Sequence, residues 1–337
     1  MTACRWYDLG VAYWCERDDL FLRELKECAA RLALDLFTVE PVWMADVLRK
    51  QDEGTVRFGV FLDLASEIAA PADPFTRLAF AARQKGSRVV NDPTRAARFG
   101  HKGMAHLALQ AAGLPVPYAI LVPYAEADRR ALSELDVKGL GQQFFIKPCF
   151  GFAGKGVIGD ASQMKDIHRA HAGLADTHYL LQRRVEVAEL GGQPAYWRVI
   201  HAFGETHLCW WHPRTRHYTP VMQWQIQDYG LWPLFGIGTR VAAVTGMDLF
   251  SVEVARAPAG AYTLVDYVND QIDLRAKSFH PDGVPDELVR HLARHVAEFA
   301  AKANSNRPLD RDSDHRQELF LTVAERHRSG NRPVPGP

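Results

Sequence analysis

Cysteine is scarce and unpaired in this chain. There are five in 337 residues, Cys4, Cys15, Cys28, Cys149 and Cys209, and none is spaced as C-x-x-C. Neither a disulfide framework nor a zinc site is indicated, and the pattern fits reduced cytosolic thiols. An excess of either charge is missing too, since 40 Lys and Arg balance 40 Asp and Glu. A chain without a global field has no general hold on nucleic acid or on an anionic membrane surface. No apolar run approaches the roughly 20 residues that cross a bilayer. The opening residues Met1 to Trp6 lack the apolar stretch of a secretory signal. These absences point to a cytoplasmic protein with no general hold on nucleic acid or membrane, with a homo-oligomer left open.

What is present is alternation. At 337 residues the chain exceeds one core of ordinary size, so two or three lobes with a cleft between them are expected. Residues 1–92 alternate short apolar runs (Tyr7 to Tyr13, Asp35 to Val39, Val56 to Leu62, Val89 to Asn91) with helical stretches near Asp18 to Leu32 and Leu78 to Gln84. This is the pattern of an α/β layer on a largely parallel sheet. Asp92-Pro93 reads as a breaker; a helix then runs from about Lys102 to Ala112, closed by Gly113 with Pro115 beyond it. Residues 93–180 read as a small α+β lobe with strands at Tyr118 to Val122 and Phe144 to Lys147, and a helix near Met164 to His171. Tyr179 to Arg183 forms the strand at its boundary. Residues 181–303 follow with hairpins around Gly204-Glu205 and Pro258-Ala259-Gly260, then a helix from Pro285 that places Leu288, Leu292, Val296 and Ala300 on one face. Residues 304–337 read as a polar tail, partly flexible and frayed at its Pro/Gly ending, with one apolar patch at Leu319 to Val323.

The chemistry concentrates at a few places. Gly151-Phe-Ala-Gly154-Lys155-Gly156 lies between two apolar strands, where glycine permits the positive φ and close approach that let backbone N–H groups point at a phosphate. It is neither a Walker loop nor G-x-G-x-x-G. Lys147 ends the strand that enters this loop, held by Pro148, and presents a point cation to the same space. Lys102 stands in a helical first turn, where a cation is electrostatically misplaced unless an anion joins it. Glu253 and the run Asp266-Tyr-Val-Asn269-Asp270 lie on the strands of the last hairpin and offer the hard oxygens that magnesium takes. His207, His212 and His217 lack a ligand-like spacing on one face, so no metal site is read there.

In this order the pieces resemble the ATP-grasp superfamily, particularly ATP-dependent amino-acid and peptide ligases. The resemblance spans Asn91 to Ala303 and rests on Asn91-Asp-Pro93, His101-Lys102, Ala111 to Pro117, Phe145-Ile-Lys147-Pro148, Gly151 to Val157, Leu181-Gln182-Arg183, Trp197-Arg198-Val199 and Gly246 to Glu253. It implies a Rossmann-like pre-ATP-grasp lobe followed by a two-lobe ATP-grasp fold holding ATP with Mg2+, or Mn2+ in its place. It also implies that Lys102, Lys147 and the loop Gly151, Gly154, Lys155 and Gly156 contact phosphate. The hinge from Gln182 and Arg183 to Val185 would meet adenine, and Glu189 would reach the ribose. Arg198 would lie at the transferred phosphate, with Glu253, Asp266 and Asn269 as metal ligands. Two departures stand out: His101 replaces the usual Asp before the first lysine, and Asp266 stands three before Asn269 instead of two, leaving Asp270 as an alternative second ligand.

The reaction so implied is a ligation in which ATP phosphorylates a carboxylate and an amine attacks the acyl phosphate. Arg198 and Lys147 act on the transferred group, and no protein nucleophile is needed. Arg214, Arg240, Arg275 and Lys277 are candidates to hold an anionic substrate, and Trp210, Trp211 and His212, with Trp224 and Trp232, to line a pocket. A small-molecule kinase, with Asp266, Asp270 or Asp273 as base, is the alternative. A nucleotide-binding protein without catalysis is a third.

Overall fold

The opening alternation folds as four parallel strands, β1 (Arg5–Tyr13), β2 (Leu36–Val39), β3 (Val56–Leu64) and β4 (Arg88–Val90), in the order β2-β1-β3-β4. The computed structural model describes residues 4–14, 19–151 and 153–305, so Cys15, Phe152 and the tail with its Leu319 to Val323 patch lie outside the described residues. Between the strands run α1 (Leu20–Arg31), α2 (Met44–Asp52) and α3 (Pro74–Gln84). Asp19 caps α1 by accepting from the Phe21 N–H, and Asp73 caps α3 from Thr76 with Pro74 at the first helical position. Parallel strands are buried on both faces. Val60 and Leu62 of β3 join the core under α1, while Phe58 and Phe61 join the core under α2 and α3.

Asp92-Pro93, expected as a breaker, starts a helix instead. The Asp92 carboxylate accepts from Thr94 and Arg95, and α4 (Pro93–Gly100) runs directly into α5 (Lys102–Ala111). Then β5 (Ala119–Pro123), α6 (Glu134–Leu140), β6 (Phe144–Pro148), β7 (Ile158–Ala161), α7 (Ile167–Gly173) and β8 (His178–Arg183) build an antiparallel sheet in the order β5-β8-β6-β7. Ile146, Leu181, Ile167 and Leu140 pack together on its helical side.

A two-stranded ribbon of β9 (Glu189–Leu190) and β10 (Gln193–Pro194) leads into β11 (Tyr196–Ala202), β12 (Glu205–Trp211) and β13 (Tyr218–Pro220). After α8 (Gln223–Asp228) and α9 (Trp232–Thr245), β14 (Leu249–Arg256) and β15 (Tyr262–Asn269) complete a five-stranded antiparallel sheet, β13-β12-β11-β14-β15. Period two divides its side chains: Trp197, Val199, Val252 and Val254 meet α9 and α5, whereas Tyr196, Ile200, Ala202 and Leu249 face the last helix, α10 (Asp286–Asn304).

α10 holds the first and last sheets together. Its buried stripe, Val289, Leu292, Ala293, Val296, Ala297 and Ala300, belongs to the cluster that also contains Leu9, Val11, Leu25 and Trp211. Asn304 donates to the Asp8 carbonyl at 3.1 Å, and its amide packs against Gly59, where a Cβ would have to push it aside. Asn91 is a second tie: buried, it accepts from the backbone of Asp248 and Leu249, each at 3.0 Å, and donates to the Leu249 carbonyl.

At the end of β3, Asp63 accepts from Ser66 Oγ and from the N–H groups of Ala65 and Ser66, and burial pushes its carboxyl up to about 6. A carboxyl raised in the folded state stabilises most when protonated. Its contribution is complete below the unfolded pKa near 3.8 and is lost as pH rises through about 6. Asp63→Asn keeps an acceptor but cannot titrate. Relative to wild type it is expected to gain about 1–2 kcal/mol in urea-unfolding free energy between about pH 4 and about pH 8, after allowing for solvent screening. A difference that does not change with pH rejects this account.

Candidate functional site

The charged residues singled out in the sequence come from five different elements, and most of them meet between the four-stranded and five-stranded antiparallel sheets. Lys102 is the first residue of α5. Its backbone N–H donates to the Cys149 carbonyl at 2.8 Å, and its Nζ reaches the Gly151 carbonyl at 2.8 Å. The replacement of Asp by His101 is accommodated by the ring itself, whose Nδ1 accepts from the Met104 N–H at 3.2 Å and so caps α5 as a carboxylate oxygen does. Burial lowers the His101 pKa, against the pull of Asp176.

Lys147 is 8 % exposed and donates to the Val265 carbonyl at 2.9 Å. Gln182 donates to the same carbonyl at 3.2 Å and to the Tyr267 hydroxyl at 2.7 Å, and that hydroxyl lies 2.6 Å from His106 Nδ1. Val265 is available because β15 is irregular: Glu253 pairs with Asp266 and Val254 with Leu264, which skips it, and a second irregularity follows. Ser251 pairs with Asn269 and Glu253 with Asp266, so β15 spends three residues where β14 spends two. Ser251 and Glu253 share a face by period two, and the extra residue returns Asn269 and Asp266 to it despite their three-residue spacing.

On that face Arg198 of β11 sits opposite Glu253, and the two form an ion pair of 2.7 Å with side chains only 12 % and 16 % exposed. The other Glu253 oxygen accepts from the Tyr196 hydroxyl at 2.6 Å. The Arg198 guanidinium lies over Trp211, 4.6 Å from the ring centroid, and its Nε is buried with no partner. Burial works against the charge of Lys147 and lowers its pKa, with Asp266 and Glu253 opposing. Burial works against Asp266 as well, but Lys102, Lys147 and Arg198 outweigh it and hold that carboxyl below its ordinary value. Asp270, one residue past β15, is pushed up to about 6 by burial and by neighbouring Asp63.

The glycine loop joins β6 to β7. Ala153, Gly154 and Gly156 have positive φ, and a Cβ at Gly156 would meet Leu174 and Pro148 at 2.8 and 2.9 Å. Lys155 is exposed, and Arg216 donates to the Ala153 carbonyl at 2.7 Å, tying the loop to the turn after β12. Asn269 donates to the Ser251 carbonyl at 3.4 Å.

Other expected residues lie apart from this cluster. Arg183 is exposed and donates to the Lys138 carbonyl at the end of α6; Val185 packs on the core shared with α10; Glu189 is exposed on the β9–β10 ribbon. Arg240 caps α5 at its far end through the Ala112 and Gly113 carbonyls, both at 3.0 Å, about 15 Å along the helix axis from Lys102. Arg275 is paired with Asp273 and Asp282. Lys277 is nearer, donating at 2.5 Å to the carbonyl of Tyr218, whose ring packs on Trp211. Trp211 and His212 line a cavity of about 200 Å³ with Trp210, Thr215 and His217, while Trp224 and Trp232 stay more than half exposed. Sequence reasoning missed Tyr196, His106 and Tyr267. Period two gives a signal for Tyr196, two residues from Arg198 on one strand, and none for the other two.

The Arg198–Glu253 pair is expected to be far costlier to break than to replace. Glu253→Ala strands a buried guanidinium and should cost about 3–5 kcal/mol, whereas Arg198→Met combined with Glu253→Leu should cost much less than the two single changes added. Urea denaturation of wild type, Glu253→Ala, Arg198→Met, Glu253→Leu and the double variant checks this, and additive losses reject it.

No protein-family model and no curated relative matches the sequence, but solved structures do. A RimK domain ATP-grasp protein from Sphaerobacter thermophilus is 20% identical over 86% of this chain and 99% of its own, with a TM-score of 0.56. The ATP-grasp ligase PsnB, in a complex with its precursor peptide PsnA2 and AMPPNP, is 14% identical over 88% and 98%, with a TM-score of 0.54. PsnB with a phosphomimetic variant of its minimal precursor, Mg and ADP gives 14% and a TM-score of 0.55 over the same shares. Likeness over nearly the whole of those chains at such low identity reports shared architecture: this chain has the ATP-grasp fold.

Proposed function

We propose that the chain is an ATP- and magnesium-dependent ligase that activates a carboxylate as an acyl phosphate for attack by an amine. The observation that carries this reading is the convergence of Lys102, Lys147 and Arg198 on Glu253 and Asp266 between two sheets. Three cations beside two carboxylates suit a ligand that brings both negative oxygens and a divalent cation. The donor set fits magnesium, which takes hard oxygens from a few carboxylates or amides. Each Glu253 oxygen keeps a lone pair beyond its bond to Arg198 or Tyr196, and Asp266 and Asn269 stand on the same face.

Bound Mg-ATP supplies the phosphoryl group and the metal charge. Lys147 and Lys102 neutralise phosphate oxygens, and Arg198, with a buried Nε–H to spare, stabilises the charge that builds on the transferred group. A substrate carboxylate oxygen bonds to the terminal phosphorus as ADP departs. The amine nitrogen then bonds to the carbonyl carbon as phosphate departs, and the amine proton passes to solvent. The loop from Gly151 to Gly156 shields the acyl phosphate from water. No protein nucleophile is required, and burial pushes the Cys149 thiol up to about 12, which leaves it inert. The cavity lined by Trp211, on whose ring Arg198 stacks, is our choice for the acceptor. The precursor peptide bound to PsnB supports an amino-acid or peptide substrate class.

Calorimetric titration should show micromolar Mg-ATP binding by the wild type that Lys147→Ala weakens at least about 30-fold, about 2 kcal/mol. Absence of binding to folded wild type sinks the reading. With a carboxylate panel, hydroxylamine should trap a hydroxamate and ADP should form. Recovery of a stable phosphorylated alcohol instead identifies a kinase.

A further inference from the structure

Far from this cluster, at the opposite end of β12 from Trp211, four side chains from two elements point at one another. Glu205 and His207 share a face of β12 by period two, and His291 and His295 share a face of α10 by their four-residue spacing. One ligand atom from each lies within 4.8 Å of all the others. The Glu205 carboxylate oxygen is 3.4 Å from His291 Nε2, 3.5 Å from His295 Nε2 and 3.9 Å from His207 Nε2. Zinc bonded to nitrogen and oxygen at about 2.0–2.1 Å in a tetrahedron sets its ligands about 3.3–3.4 Å apart.

Hydrogen bonding alone does not account for the arrangement. One carboxylate oxygen does not satisfy three imidazoles, and His207 Nε2 is buried with no hydrogen-bond partner. The ring contacts confirm the crowding, with His291 and His295 centroids 4.1 Å apart and His207 and His291 4.8 Å apart. The three side chains other than Glu205 are 13–33 % exposed, so the site sits under the surface with its carboxylate as the outer wall.

We propose that Glu205, His207, His291 and His295 form a zinc site that pins α10 to the β11–β12 hairpin. Three imidazoles and one carboxylate make a borderline donor set suited to Zn2+ rather than to Mg2+ or Ca2+, which take oxygen shells of six or more. Four protein ligands fill the tetrahedron, so the site is structural and leaves no position for substrate. Arg294 donates to His291 Nδ1 at 3.4 Å, a long contact at the surface. Ligation through Nε2 puts the proton on Nδ1, and the arginine turns away. The ion fastens the helix that joins the first sheet to the last, so zinc acts on the stability of the whole fold.

The test uses the full chain without a histidine tag, stripped with a chelator and titrated with Zn2+ against a chromophoric competitor. One tight equivalent per chain is expected, with a higher melting temperature on loading and, with Co2+ as probe, the visible absorption of a tetrahedral ion. His291→Gln, on the more exposed ligand, and His295→Gln should each weaken binding by more than the roughly 10–100-fold that loss of an outer-shell partner costs. Cys4→Ser should change nothing, since exposed Cys4 lies elsewhere on β1's approach. Failure of the wild type to bind one tight equivalent overturns the proposal, as does stoichiometric binding that survives both histidine changes in folded protein.

Discussion

Charge taken out of water must be neutralised in place, and that requirement governs the region between the two antiparallel sheets. Arg198 and Glu253 are nearly inaccessible, and their 2.7 Å contact exists only because β11 and β14 are paired in a register that sets them opposite each other. Lys147 arrives from a different sheet, and Asp266 and Glu253 oppose the burial that lowers its pKa. Loss of any one partner leaves another buried ion uncompensated, at several kcal/mol. The charges therefore stabilise the closed arrangement only as a set. This is also why a compact, anionic, metal-bearing ligand suits the place: it offers the same two signs of charge that the protein has already arranged to balance.

The irregular pairing of β15 shows how a small backbone departure serves this constraint. A regular strand would turn Asp266 and Asn269 to opposite faces. One extra residue brings both to the Glu253 side, and a second irregularity, between the pairs Glu253–Asp266 and Val254–Leu264, leaves Val265 out of the ladder, where Lys147 and Gln182 take up its carbonyl. A ladder defect has become the anchor for a cation and an amide.

Strands and glycine-closed helix ends were legible in the sequence, because period two and glycine ends each have a local cause, whereas Asp92-Pro93, read as a breaker, is a capped helix start. β1, β6, β8, β11 and β12 lie within a few residues of where the apolar runs place them. α9 was not legible: Trp232–Thr245 mixes Gly236 and Gly238 with β-branched residues, and its helicity comes from packing Leu234, Ile237 and Val241 on the five-stranded sheet. Arg240 was read as a substrate contact because sequence does not reveal that the end of α5 lies beneath it. Likewise His207 lies 84 positions before His291, and no spacing rule joins a strand to a helix so distant.

The placement of α10 bears on how the chain is made. One face of the first sheet packs on α1 and α10 together, so Leu9 and Val11 find part of their cover only when residues 286–304 have emerged. Synthesis at about 5–20 residues per second leaves that face incomplete for many seconds. Contacts so distant along the chain also slow the final collapse. During that interval the nascent first sheet is a natural client for chaperones that shield apolar surface, and a ribosome that stalls before α10 would release a product with an open core.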